Sequence, residues 1–147
     1  MRVLVPVDGS RRALAALRFV IDRLAPESPG LEVHLLNVQP PLPAAVASFV
    51  ADDVVKGYHK EEGDKALAEG RALLAASGLR HEAHVAVGEP PRAIADYAAE
   101  KACDFIAMSP RGHGVVADVL LGSTARKVLH LSRVPVMIVR GHVRLET

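Results

Sequence analysis

The sequence predicts an α/β fold: a single domain over residues 1–147, built on an open five-stranded parallel sheet with helices on both faces. Three observations predict it. Short β-branched apolar runs alternate along the whole chain with segments of helical period, the pattern of strands joined by crossover helices. Turns bearing glycine or proline separate them. The length, 147 residues, is that of one domain able to bury about 68–70% of its unfolded surface. Winding outward from the first strand in both directions gives the strand order 3-2-1-4-5.

The elements follow in order. Residues 2–7 form the first strand, ended by Asp8-Gly9-Ser10. Ser10 is a candidate N-cap for a helix carrying Leu14, Leu17, Val20, Ile21 and Leu24 at helical spacing. Pro26-Glu27-Ser28-Pro29-Gly30 breaks that helix, and residues 31–38 are the second strand. Gln39-Pro40-Pro41-Leu42-Pro43 reads as loop, because proline supplies no N–H to a ladder. A long helix covers residues 53–76 and stops at Gly78. The third strand is residues 80–87. Gly88-Glu89-Pro90-Pro91 is a turn whose second proline suits the first turn of a helix reaching Lys101. Residues 103–108 are the fourth strand, 122–131 the following helix and 134–139 the fifth strand.

Composition excludes several function classes. Half the residues are hydrophobic but 3% are aromatic, so the core is built from Ala, Val, Leu and Ile. Eighteen basic residues against 17 acidic leave no electrostatic footprint for nucleic acid or an anionic membrane. No apolar run reaches the roughly 18 residues of a membrane span. Asp8 interrupts the start where a signal peptide needs apolar residues, so the expected location is the cytoplasm. The one cysteine, Cys103, excludes an intramolecular disulfide framework and reads as a small core residue.

Two strand ends carry unusual chemistry. Asp8-Gly9-Ser10 ends the first strand. Ser109-Pro110-Arg111-Gly112-His113-Gly114 leaves the fourth, and the chain reaches Gly122-Ser123-Thr124 where a helix opens. A glycine-rich exit lets backbone approach a ligand closely, and a helix N-terminus offers N–H donors at its positive end, which together describe a phosphate cradle. In a sheet of order 3-2-1-4-5 these two strand ends flank the switch point, where ligands bind.

Here the chain resembles the universal stress protein family over nearly its full length. The matching pieces are Val5-Pro6-Val7-Asp8-Gly9-Ser10, Val87-Gly88-Glu89-Pro90, Ala102-Cys103-Asp104-Phe105-Ile106, Arg111-Gly112-His113-Gly114 through Leu121-Gly122-Ser123, and Val134-Pro135-Val136. The resemblance implies a Rossmann-like fold of the adenine nucleotide alpha hydrolase type, and a site for ATP, with or without Mg²⁺, or a related adenine nucleotide. The motif implied is Gly, two residues, Gly, nine residues, Gly, then Ser or Thr. Gly112, residues 113–121, Gly122 and Ser123 fit it, whereas Ser109 stands at the first glycine and Pro110 follows. Serine adds a Cβ there and proline removes a donor, although the Ser109 hydroxyl can supply a hydrogen bond. By the same resemblance Asp8 accepts from the adenine amino group beside Pro6 and Val7, and Val38 contacts the base. Met108, Ser109, Arg111 and Gly112 border the ribose and first phosphates, with His113 and Gly114 in the same loop. Gly122, Ser123 and Thr124 hold the terminal phosphates.

Each residue also has a plainer reading. Asp8 can be a turn acid capping locally, and Ser123 with Thr124 an N-cap pair. Gly112-His113-Gly114-Val115-Val116-Ala117 fits a dinucleotide pattern but follows the fourth strand rather than opening the fold. The seven histidines assemble into no metal site by spacing: Glu82 and His84 share a strand face while His81 points away. His130 sits where it favours a helix dipole. Enzyme signatures are missing. There is no P-loop Gly-Lys-Ser/Thr, the third strand ends in Gly88 rather than the Asp of a receiver domain, and Asp118 has no carboxylate companion for Mg²⁺. The sequence supports binding over turnover.

The fifth strand, with Val134, Val136, Met137, Ile138 and Val139, is an edge strand apolar on both faces, which expects a partner. Family resemblance implies a homodimer through it, although the tail at 141–147 can instead cover that edge. Val46, Phe49 and Val50 can cover the crevice or extend the interface. The expected function is a stress-response regulatory or protective dimer that binds ATP and is not a metabolic enzyme. A nucleotide-free dimeric interaction module and a slow ATPase are the alternatives.

Overall fold

The computed structural model describes residues 1–110 and 121–140. Arg111, Gly112, His113 and Gly114 of the expected phosphate loop lie outside them, as do Asp118 and the 141–147 tail. Five parallel strands form one sheet in the order β3-β2-β1-β4-β5, as the sequence predicts. They are β1 (Arg2–Pro6), β2 (Glu32–Gln39), β3 (Arg80–Val87), β4 (Phe105–Met108) and β5 (Val136–Ile138). The helices are α1 (Leu14–Phe19), α2 (Ala44–Ala47), α3 (Asp52–Ser77), α4 (Pro90–Glu100) and α5 (Ser123–Leu131).

Period-two alternation divides the strands between two cores. Val3 and Val5 of β1, Val33 and Leu35 of β2 and Ala107 of β4 face one side, packed against Leu14 and Leu17 of α1 and Leu67 and Leu74 of α3. Leu4, Leu36, Ile106 and Met108 face the other, under Ile94 and Ala98 of α4 and Ala125 and Val128 of α5. α3 approaches the sheet very closely. A Cβ on its Gly63 would lie 2.4 Å from a Val85 methyl, and one on Gly70 would lie 2.7 Å from Leu35. With Leu67 and Leu74, these glycines form the stripe that lets a long, mostly polar helix seat on β2 and β3.

Several expected boundaries move. The helix beginning after Ser10 is α-helical only from Leu14 to Phe19, then winds as a π turn over Val20–Leu24 and a 3₁₀ turn over Ala25–Glu27, where Pro26 ends it. Ser10 caps the lead-in turn rather than α1: its Oγ accepts from the Ala13 N–H at 3.2 Å. α2 follows the proline loop and was not expected, four residues being too short to show a period. β5 is shorter than the expected strand, leaving Val134 and Val139 outside it, although the Val139 N–H still donates to the Met108 carbonyl at 2.8 Å. Cys103 is buried in the second core, where burial pushes its thiol pKa up.

Candidate functional site

β1 and β4 are neighbours, yet the chain departs from them in opposite directions, so their carboxyl ends cannot both be covered by the same crossover. A cleft opens there. Leu36, Val38, Ile94 and Met108 give it apolar walls, and Pro6 and Val7 line it where β1 ends. Its polar lining comes from Asp8, Ser10, Arg12, Ser109 and Thr124. Of the expected site residues, Pro6, Val7, Asp8, Val38, Met108, Ser109 and Thr124 are thus brought together from four elements. Gly122 and Ser123 stand at the start of α5, adjacent to Thr124 and outside the cleft's lining.

Asp8 is exposed, and its Oδ1 accepts from the Ser10 N–H at 2.9 Å and the Ser10 hydroxyl at 2.6 Å. This is an Asx turn, so the plainer reading of Asp8 as a local cap holds and coexists with its place in the cleft. Two donors on one oxygen fix the carboxylate's direction. Behind it, the buried Asn37 donates to the Val7 carbonyl at 2.9 Å and accepts from the Gln39 side chain at 2.7 Å. Asn37 thereby ties the end of β1 to β2 beside the bond from the Val7 N–H to the Leu36 carbonyl at 2.8 Å.

The Ser109 hydroxyl is committed elsewhere than to a ligand. Its Oγ accepts from the Ala16 N–H at 3.0 Å and donates to the Ala13 carbonyl at 3.5 Å. Ala13, the residue at the N-cap of α1, has no side-chain cap to offer. Ser109 supplies that cap from 93 residues away and pins the exit of β4 to the first turn of α1. The serine in place of a motif glycine is therefore a structural fastening.

At α5 the N-cap position is Gly122, at φ 78° and ψ 157°, and no side chain among the described residues caps the helix. Ser123 and Thr124 are not an N-cap pair; they are the first two helical residues, and the plainer reading fails. The amino end of α5 therefore points its N–H groups and positive dipole end at the mouth of the cleft, beside Thr124. Sequence reasoning missed Ser10, Arg12, Leu36, Pro90, Ile94 and Ala125 as lining residues. Arg12 was within reach of it, since a cation one turn beyond Asp8 must lie near the same strand end. Val46 and Phe49 do not line the cleft, and Phe49 is 89% exposed.

On the α4-covered face of β2 and β3, register adds a partner to the pair expected at Glu82 and His84. His34 of β2 lies beside Glu82 of β3. Its Nε2 is 3.8 Å from the Glu82 carboxylate and 3.0 Å from that of Glu32, while the His84 Nε2 is 3.2 Å from Glu82. Tyr97 of α4 meets the His34 Nδ1 at 2.7 Å. The hydrogen bond from His34, together with Arg2, holds the Glu32 carboxyl below its ordinary pKa, and His84 does the same for Glu82. Burial pushes the Tyr97 phenol well up, so it is neutral.

The profile of the universal stress protein family matches residues 1–140. Universal stress protein YxiE of Bacillus subtilis is 32% identical over 147 residues, covering 95% of this chain and 98% of its own length. Among solved structures, the universal stress protein from Archaeoglobus fulgidus in complex with dAMP is similar at 25% identity and a TM-score of 0.68, over 95% of this chain and 97% of that one. Universal stress protein UspA from Lactobacillus plantarum, 23% identical, shares the fold with a TM-score of 0.77 over 95% and 97%. A profile match over nearly the full length and a relative of equal extent agree: the chain belongs to the universal stress protein family.

Proposed function

We propose that this protein binds ATP or a related adenine nucleotide in the cleft between the carboxyl ends of β1 and β4, and works as a regulatory dimer rather than as an enzyme. The observation that carries the reading is the pairing of an apolar slot with an uncapped helix N-terminus. Val38, Leu36, Ile94 and Met108 suit the faces of a purine, and the amino end of α5 suits phosphate. Asp8, aimed by Ser10, is placed to accept from an exocyclic amino group such as that of adenine. The similar Archaeoglobus protein was solved with dAMP, which supports the ligand class.

Binding without turnover is favoured because Asp8 is the one carboxylate lining the cleft among the described residues, and it stands at the base end. Among the described residues no second carboxylate lines it to hold Mg²⁺ or orient water. The proposed dimer uses β5, whose Val136, Met137 and Ile138 are half-buried at the sheet edge. Calorimetry with ATP and Mg²⁺, AMP and GTP tests the ligand. Saturable heat with the adenine nucleotides and none with GTP supports the reading. No heat with any of them at high micromolar concentration refutes it and leaves a nucleotide-free interaction module.

A further inference from the structure

We propose that His34, Glu82 and His84 form a binding site for a divalent transition-metal ion of the Zn²⁺ class, on the α4-covered face of β2 and β3 and made of residues that do not line the nucleotide cleft. Their three ligand atoms lie within 4.8 Å of one another. Tetrahedral coordination at about 2.0–2.1 Å wants neighbouring ligand atoms about 3.3 Å apart. The Glu82 oxygen is already 3.2 Å from the His84 nitrogen and 3.8 Å from the His34 nitrogen, and the two nitrogens lie within 4.8 Å, so the set closes by rotation of the exposed Glu82 and His84 side chains.

The parts differ in the way a metal site needs. The His34 side chain is only 3% exposed and its ring is locked, with Nδ1 held by the Tyr97 hydroxyl. Glu82 and His84 are 55% and 40% exposed at the side chain, so they can adjust their rotamers and leave a path for the ion. Glu32 adds a carboxylate oxygen 3.0 Å from the same His34 nitrogen, while Arg2 holds its other oxygen at 3.4 Å. Without a metal, the His34 Nε2 must carry the proton, because a lone pair facing the Glu32 oxygen would repel it. A cation replaces that proton. The imidazole then takes its other tautomer and donates from Nδ1 to the neutral Tyr97 oxygen, the outer partner that orients a metal-ligating histidine. Two imidazoles select a transition ion over Mg²⁺ or Ca²⁺, which prefer all-oxygen sets.

The experiment titrates the full chain with ZnCl₂ against a chromophoric chelator, without nucleotide. One tight equivalent is expected, unaffected by millimolar Mg²⁺ or Ca²⁺ and by His130→Ala, which removes an exposed histidine on α5. His84→Ala is expected to weaken that equivalent by about 100-fold or more, Glu82→Gln by at least about 10-fold, and Tyr97→Phe by about 10-fold. His84 and Glu82 are surface residues, so unchanged circular dichroism separates lost ligation from unfolding. Co²⁺ substitution should give the visible absorption of a tetrahedral nitrogen and oxygen site and lose it in His84→Ala. Absence of a tight equivalent, or one that survives both His84→Ala and Glu82→Gln, overturns the proposal and leaves a hydrogen-bonded cluster only.

Discussion

Gly122 adopts φ 78° and ψ 157°, a conformation closed to side chains with a Cβ. It delivers the chain to α5 with no side-chain cap from the described residues on that helix's first N–H groups. Gly122→Ala is expected to strain this entry by about 1–3 kcal/mol and to reduce adenine nucleotide binding more than overall stability. Calorimetry on the variant beside its thermal melt separates the two effects. Ala102 is the reverse case, an exposed non-glycine residue at φ 51° closing α4. The Cys103 N–H reaches back to the Ala98 carbonyl at 2.9 Å, the return bond that ends a helix through a left-handed residue. Ala102→Gly should therefore raise stability by about 1 kcal/mol, read as a higher denaturant midpoint; a lower midpoint would contradict the strain. The Cys103 thiol, pushed up by burial, is protonated in the native state across the ordinary thiol range. Because its folded pKa lies above the unfolded one, its contribution to stability is complete at neutral pH and is lost as pH rises through the raised value. Thiol reagents should label it slowly at pH 8 in native protein and rapidly in urea.

Between elements, the tightest constraints are a hydroxyl and a glycine. Ser109 caps α1 from the exit of β4, so Ser109→Ala should cost about 1 kcal/mol and loosen the cleft wall that both elements share. Gly63 brings α3 onto β3, and Gly63→Ala forces a Cβ to within 2.4 Å of Val85. That variant should lose about 1–3 kcal/mol in denaturant unfolding, whereas Gly57→Ala on the same helix meets open space and should not. These contacts mark where sequence reading stops. Strand ends and the switch point, with Asp8, the exit after Met108 and the helix opening at Thr124 beside it, follow from periodicity and winding rules, which depend on local pattern. Val38 instead enters the site through the family resemblance. The Ser109 cap joins residues 93 positions apart, and no local pattern announces it. The cluster at His34 depends on the β2–β3 register, which pairs His34 with Glu82 and which neither strand encodes alone.

At the scale of the molecule, the sheet separates two chemistries. The carboxyl ends of β1 and β4 present the apolar cleft and the α5 amino end, and the α4-covered face of β2 and β3 gathers histidine and carboxylate. The edge at β5 is a third feature. Its ladder to β4 uses Pro135 and Val139, as seen in the Ile106 N–H to Pro135 bond at 2.9 Å and the Val139 N–H to Met108 bond at 2.8 Å. By strand alternation, Val136 and Ile138 then direct their backbone groups to the open edge, which suits pairing with a second copy. Sedimentation equilibrium should find a two-chain species, and a monomer at all concentrations would remove β5 as an interface. The nucleotide cleft is the central claim, and its most direct test is a ¹⁵N-labelled amide titration with AMP. Saturable shifts should concentrate at Val7, Asp8, Val38, Ser109, Ser123 and Thr124. Absence of shifts at millimolar AMP, or shifts centred on His34, Glu82 and His84, would contradict it.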